Sequence, residues 1–238
     1  MKESRAAPEL LHQDDDFLVL LKPSALPTTS PAGGDSLHQR ARSLLGKPSF
    51  LHPTSRLDSE VTGIVVFART PRANAAILDA RREGRYRRRY VALASRTPER
   101  LEGSWREAIA LDPRDPRRRR ASDEDDAEAK SAETLFRCVE STASGALLHL
   151  WPQSGRTHQL RVHASHAGLP LWGDEAYGGP KRCTAEDGSV YAARRVMLHC
   201  TEVCLEGVGR QPSLRFYAPP PEDMRQFWHD LGGSDLHW

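Results

Sequence analysis

At 238 residues the chain is long enough to bury a core, as one large domain or two small ones, and one is favoured. Its 28% charged and 38% hydrophobic residues exclude a disordered polypeptide, and its longest apolar runs, Phe17 to Leu21 and Ile64 to Ala68, fall far short of a membrane span. A formal charge of +2 does not mark the whole chain as a nucleic-acid binder, so any such role must rest on local charge.

Phe17 to Leu21 reads as a buried strand, ended by Lys22-Pro23 and a loop rich in Pro, Ser, Thr and Gly through Asp35. Leu37, Ala41, Leu44 and Leu45 then share one helical face behind the cap Ser36, and Gly46-Lys47-Pro48 ends that helix. Gly63 to Ala68 is a second buried strand. Ala73, Ala76, Ile77 and Ala80 make the next helix, closed at Gly84. Between Arg81 and Arg89 six arginines face one acid, Glu83, beside Tyr86 and Tyr90, a patch that attracts phosphates. Tyr90 opens a third strand.

From Asp112 to Lys130 six basic and seven acidic residues leave almost no large apolar side chain, which predicts an exposed insertion whose Arg117 to Arg120 run is neutralised by Asp123 to Asp126. Ala146 to Trp151 reads as a strand, and Gly155-Arg156 turns into a helix from about Thr157 to Gly168. There Leu160, Ala164 and Ala167 make a core stripe, with His158, Arg161 and Ser165 on another face. Strands near Arg195 to Leu205 and Ser213 to Tyr217 follow. After Pro219-Pro220-Pro221, Met224, Phe227, Trp228 and Leu231 repeat with helical period. Strands and helices mix without regular alternation, so the expected class is α+β.

Met1 to Asp16 lacks the apolar core of a signal peptide, and the four cysteines, Cys138, Cys183, Cys200 and Cys204, form neither a CxxC pair nor a dense disulfide framework. A soluble cytoplasmic protein is expected. A metal site built from His163, His166, His199, Cys200 and Cys204 is the remote alternative, because a strand through Cys200 and Cys204 would spread these two apart. No metal is expected.

Two segments concentrate chemistry. Arg56-Leu57-Asp58 lies in the polar stretch His52 to Thr62, just before an apolar strand, where a carboxylate can serve as nucleophile or base or simply as a turn residue. GRTHQLR, Gly155 to Arg161, crowds two arginines, a histidine and a glutamine into seven positions where a strand becomes a helix.

These segments, with Asp16 to Pro23, Gly63, Arg89-Tyr90, His163, Gly168 to Asp174, Tyr177-Gly178, Leu198-His199 and Ala218-Pro219, resemble in order and spacing the pseudouridine synthases grouped under ribosomal large-subunit synthase A. The resemblance covers nearly the whole length. It implies a mixed, largely antiparallel sheet flanked by helices and loops, in a single catalytic domain over 1–238 without a separate N-terminal RNA-binding module. It implies isomerisation of a uridine in RNA without a cofactor, by a monomer needing no protein partner. Asp58 would be the catalytic aspartate, Tyr90 the active-site aromatic and Arg161 the basic partner that favours ionisation of the aspartate. Arg56 would take the place of the flipped uridine. Arg156, His158, Gln159, Lys22, Arg87, Arg88 and Arg89 complete the expected substrate contacts, with RNA recognition also resting on the loops at Thr28 to Asp35 and Asp112 to Lys130.

Ser55 stands where the family has histidine before Arg-Leu-Asp, and Val61-Thr62 stands where it has Thr-Ser. These departures bear on the choice of substrate, for which ribosomal RNA is favoured and transfer RNA is next. The rival from another class is a non-catalytic RNA-binding protein that keeps the fold.

Overall fold

The structure is a computed structural model that describes residues 6–30, 33–123, 126–184, 188–208, 213–235 and 238. Parts of two expected recognition loops, residues 31–32 and 124–125, therefore lie outside the described residues. The chain runs through β1 (Glu9–Gln13), β2 (Phe17–Lys22), α1 (Leu37–Leu44), β3 (His52–Pro53), β4 (Thr62–Ala68), α2 (Pro71–Arg82) and β5 (Tyr86–Ala94). β6 (Glu102–Trp105), β7 (Ala108–Asp112), β8 (Asp115–Ser122), β9 (Thr134–Thr142) and β10 (Gly145–Pro152) follow. Then come α3 (Gln159–His166), a short 3-10 helix (Glu175–Tyr177), β11 (Arg182–Thr184), β12 (Val190–Ala192), β13 (Leu198–Glu206), β14 (Ser213–Tyr217) and α4 (Glu222–Asp230). The fold is mixed α+β, with mostly antiparallel strands. No helix among the described residues is long and apolar enough to cross a membrane.

The chain forms two compact units, Met1–Arg88 with Cys200–Ala218 and Arg89–His199 with Pro219–Trp238. In the first, strands run in the order β1-β2-β4-β13, with β3 on β4 and β14 on β13. β2 and β4 pair antiparallel from Phe17 opposite Ala68 to Lys22 opposite Gly63. Every residue of β4 is buried, which is why its sequence from Ile64 to Ala68 is continuously apolar rather than alternating. Gly63 has φ +128°, and a Cβ there would lie 2.4 Å from the Cys200 backbone nitrogen, so only glycine lets the two backbones approach. Ser36 caps α1 as expected, its Oγ accepting from Gln39 N–H at 3.2 Å, and in α2 Thr70 Oγ1 accepts from Ala73 N–H at 3.0 Å.

In the second unit β5, β10, β9 and β6 are neighbours in that order, with Leu150 opposite Tyr90 and Ala146 opposite Ala94. Leu93, Leu147, Trp172 and Met197 make its main core with Met224, Phe227, Trp228 and Leu231, the stripe expected of α4.

The stretch 112–130 departs from expectation. Exposed it is, but β7 and β8 pair antiparallel from Ala108 opposite Ser122 to Leu111 opposite Arg119, so a hairpin replaces the irregular loop. Composition hid it because its apolar contacts come from elsewhere: Ile109 packs with Ala132, Val162 and Tyr177, and Ala121 joins them. At the C-terminal end of α3, Ala167 is exposed rather than in the core stripe, and Arg161 within the helix is buried.

Candidate active site

In the first unit, the segment Arg56 to Asp58 leaves Arg56 exposed, Leu57 buried and Asp58 half-buried. Leu57 is gripped through its backbone. Thr28 Oγ1 donates to the Leu57 carbonyl at 2.8 Å and accepts from the Leu57 N–H at 2.9 Å, in a site where Thr28 is itself buried. Beyond Asp58, the Val61 N–H donates to the Asp58 carbonyl at 3.1 Å and closes the turn. Lys22 holds the other flank: its ammonium donates to the carbonyls of Pro23 at 2.9 Å, Leu26 at 2.7 Å and Ser59 at 3.1 Å.

The Lys22 side chain is fully buried, and backbone carbonyls accept from its ammonium, so it braces the loop bearing Asp58. Ser55, the position of the departure from histidine, is also buried and accepts from the Tyr86 hydroxyl at 3.3 Å.

The arginine cluster is less cationic than its sequence suggests, because Asp79 and Glu206 from outside the run join Glu83 in pairing with it. Arg82 pairs with Asp79 at 2.9 Å, Arg85 with Glu83 at 2.6 Å, and Arg87 with Glu206. Arg81 donates to the Thr54 carbonyl, and its guanidinium lies 4.7 Å from the Tyr86 ring centroid, with that of Arg88 at 5.7 Å. Arg87 is exposed and Arg88 half-buried.

In the second unit, Tyr90 is buried on β5, and half-buried Arg89 lies 3.4 Å from His149 Nε2. Arg161 projects from α3 into a buried site. Its Nε donates to Asp174 Oδ2 at 2.7 Å and its Nη2 to Asp174 Oδ1 at 2.6 Å, a bidentate pair that fixes the guanidinium plane. The guanidinium carbon also sits 4.9 Å from the Tyr177 ring centroid. The roles of Asp174 and Tyr177 were missed in the sequence. Their only signal was the short string around Gly173-Asp174 and Tyr177, thirteen or more residues beyond Arg161.

His158 takes a left-handed conformation, φ 57°, immediately before α3, and its Nδ1 lies 2.7 Å from the Tyr177 hydroxyl. Gln159 is buried. Its Oε1 accepts from Ser154 Oγ at 2.7 Å and the Arg156 N–H at 3.0 Å, while Nε2 donates to the Glu133 carbonyl and Thr134 Oγ1. Both ends of its amide are engaged within the protein, so it acts as a strut under the turn. Arg156 is exposed, with Nε donating to the Ser131 carbonyl at 2.9 Å.

Three residues of the alternative metal site, His163, Cys200 and Cys204, are poorly disposed for ligation. His163 is buried with Nδ1 2.9 Å from Thr134 Oγ1 and Nε2 2.9 Å from the Glu107 carbonyl. Cys200 and Cys204 lie four positions apart along β13, a separation of roughly 13 Å on an extended strand. Burial, followed by the neighbouring Glu202 carboxylate, pushes the Cys204 thiol up to about 11, opposite to the thiolate a metal needs.

Comparison with known proteins completes the picture. A family model described as RNA pseudouridylate synthase matches residues 16–166. The ribosomal large subunit pseudouridine synthase C of Escherichia coli (strain K12) is 29% identical over 240 residues, covering 94% of this chain and 70% of that protein. The ribosomal large subunit pseudouridine synthase D of Haemophilus ducreyi is 31% identical over 234 residues, covering 90% and 68%. A solved structure titled Human RNA Pseudouridylate Synthase Domain Containing 4 has a TM-score of 0.72 at 24% identity, over 94% of this chain and 92% of that one, and shares the fold.

Proposed function

Since the chain belongs to the RNA pseudouridylate synthase family, an isomerase acting on RNA, we propose that Asp58 is its catalytic carboxylate, with Tyr90 the aromatic beside the uracil and Arg161 the basic partner. The whole of 1–238 serves as the catalytic domain in this reading; the family match runs through parts of both units. The reaction breaks the N1–C1′ bond, turns the uracil in place and forms the C5–C1′ bond. The C5 proton is lost and N1 takes one up, so no net oxidation occurs. Asp58 acts either by attack on C1′ or by removing a C2′ proton; both need an ionised carboxylate.

One observation carries the assignment of Asp58. The segment is clamped at Leu57 by Thr28 and at Ser59 by Lys22, which leaves the intervening carboxylate half-buried and held from both sides. Such bracing is what a group that must meet one atom of a flipped nucleotide requires. Arg56, exposed two residues earlier, would enter the gap left in the RNA. Arg87, Arg88, Arg89, Arg156 and His158 supply outer contacts.

The favoured substrate is ribosomal RNA, supported by relatives whose names specify the large ribosomal subunit, and transfer RNA is next. The enzyme would work as a monomer in the cytoplasm, without a cofactor. The test is tritium release from RNA labelled at uracil C5. Wild-type release abolished in Asp58→Asn supports the reading. Release that survives the substitution rejects Asp58, and binding without release on any cellular RNA favours the non-catalytic alternative.

A further inference from the structure

The β7–β8 hairpin is the most basic element that this catalytic reading leaves unused. From Ala108 to Ser122 it carries Arg114, Arg117, Arg118, Arg119 and Arg120 against Asp112 and Asp115. Arg117 is matched by Asp115 at 2.9 Å and Arg120 by Asp126 at 2.5 Å. The middle two have no carboxylate partner among the described residues. Arg119 donates to the carbonyls of Pro116 and Arg118, and Arg118 lies 5.3 Å from the Tyr177 ring centroid with its Nε buried and lacking a hydrogen-bond acceptor.

Arg119 also lines a cleft of about 250 Å³ with Lys130, Arg156 and Glu128, over an apolar floor that includes Ile109. Lys130, Arg156 and Glu128 are exposed, so three cations and one acid converge on an open concavity. Among the described residues no aromatic side chain lines it, which leaves charge as the means of recognition. The cleft is tied to the candidate site through Tyr177. The Tyr177 hydroxyl accepts from the Arg119 N–H at 2.9 Å and meets His158 at 2.7 Å, while the ring carries Arg161.

We propose that this cleft binds a backbone phosphate of the RNA substrate, so that the hairpin holds the strand beside the helix bearing Arg161. The proposal rests on the pseudouridylation reading for its ligand. Phosphate contacts of this kind set position and register, and each adds to the salt dependence of binding.

The experiment uses the full chain and a fluorescein-labelled stem-loop RNA with a uridine in its loop. In the double variant Arg119→Gln, Lys130→Gln the slope of log Kd against log salt should become shallower by about 0.7 to 0.9 for each phosphate that the variant no longer neutralises. For tritium release KM should rise about tenfold with kcat within about twofold, as expected when uniform binding is removed. An unaltered melting temperature establishes that the variant is folded. The control, Arg96→Gln with Arg100→Gln, removes the same charge from outside the hairpin. An unchanged slope and KM in the cleft variant, or an equal change in the control, overturns the proposal. Wild-type protein that releases no tritium, combined with a shallower slope in the cleft variant, would reject pseudouridylation and leave the phosphate site standing.

Discussion

Thr28 and Leu57, twenty-nine positions apart, share a reciprocal pair of hydrogen bonds: one hydroxyl donates to the Leu57 carbonyl at 2.8 Å and accepts from the Leu57 N–H at 2.9 Å. The residue it immobilises is the neighbour of Asp58. Thr28→Val keeps the shape and leaves two buried backbone groups unsatisfied, at a cost of about 1–3 kcal/mol each. The expected outcome is a lower urea midpoint together with a kcat that falls more than KM rises, whereas Thr28→Ser retains both. Equal behaviour of the two variants in denaturation and tritium-release assays would contradict this role.

Arg161 and Asp174 are both buried, with side chains 5% and 1% exposed, so neither charge can be recovered by water when the other is removed. Asp174→Ala should cost about 3–5 kcal/mol. For a chain of this size, that corresponds to a melting temperature lower by about 6–20 °C. Calorimetry checks it, and a loss under about 2 °C would mean that the pair contributes little.

His163 provides a pH dependence with a definite sign. Burial, the largest influence, pushes its pKa below the ordinary 6.5, so the unfolded chain takes up this proton at a higher pH than the folded one. Its contribution is complete above about pH 6.5 and is lost as pH falls through the window beneath. Urea unfolding at about pH 5 and pH 7.5 should show a larger drop in midpoint for wild type than for His163→Gln.

Cys204, raised to about 11 from 9.0, should be slow to alkylate. With the thiolate as the reactive form, iodoacetamide at about pH 8 should modify it about a hundredfold more slowly than an unperturbed cysteine peptide, followed by mass spectrometry. Rapid modification in the folded protein would argue against this environment.

The elements with local signals were legible before folding: the apolar runs of β2 and β4, the Ser36 cap of α1, and the α4 stripe of Met224, Phe227, Trp228 and Leu231. So was the family, because its short motifs recur in a set order along one chain. What a polar residue does inside that framework was a different matter. Lys22 and Gln159 look like surface residues by type alone, and both are interior braces because distant carbonyls meet their donors.

The sequence alone therefore determined the α+β class, the family and the candidate Asp58, since each depends on residue type and spacing over short distances. Only the tertiary structure decided that Asp174 grips Arg161, that Thr28 and Lys22 brace the loop around Asp58, and that Arg118 to Arg120 ride on a hairpin instead of a loop. The reason is physical. Burying a donor or a charge is favourable only with a partner in place, and folding brings that partner from thirteen to thirty-seven residues away.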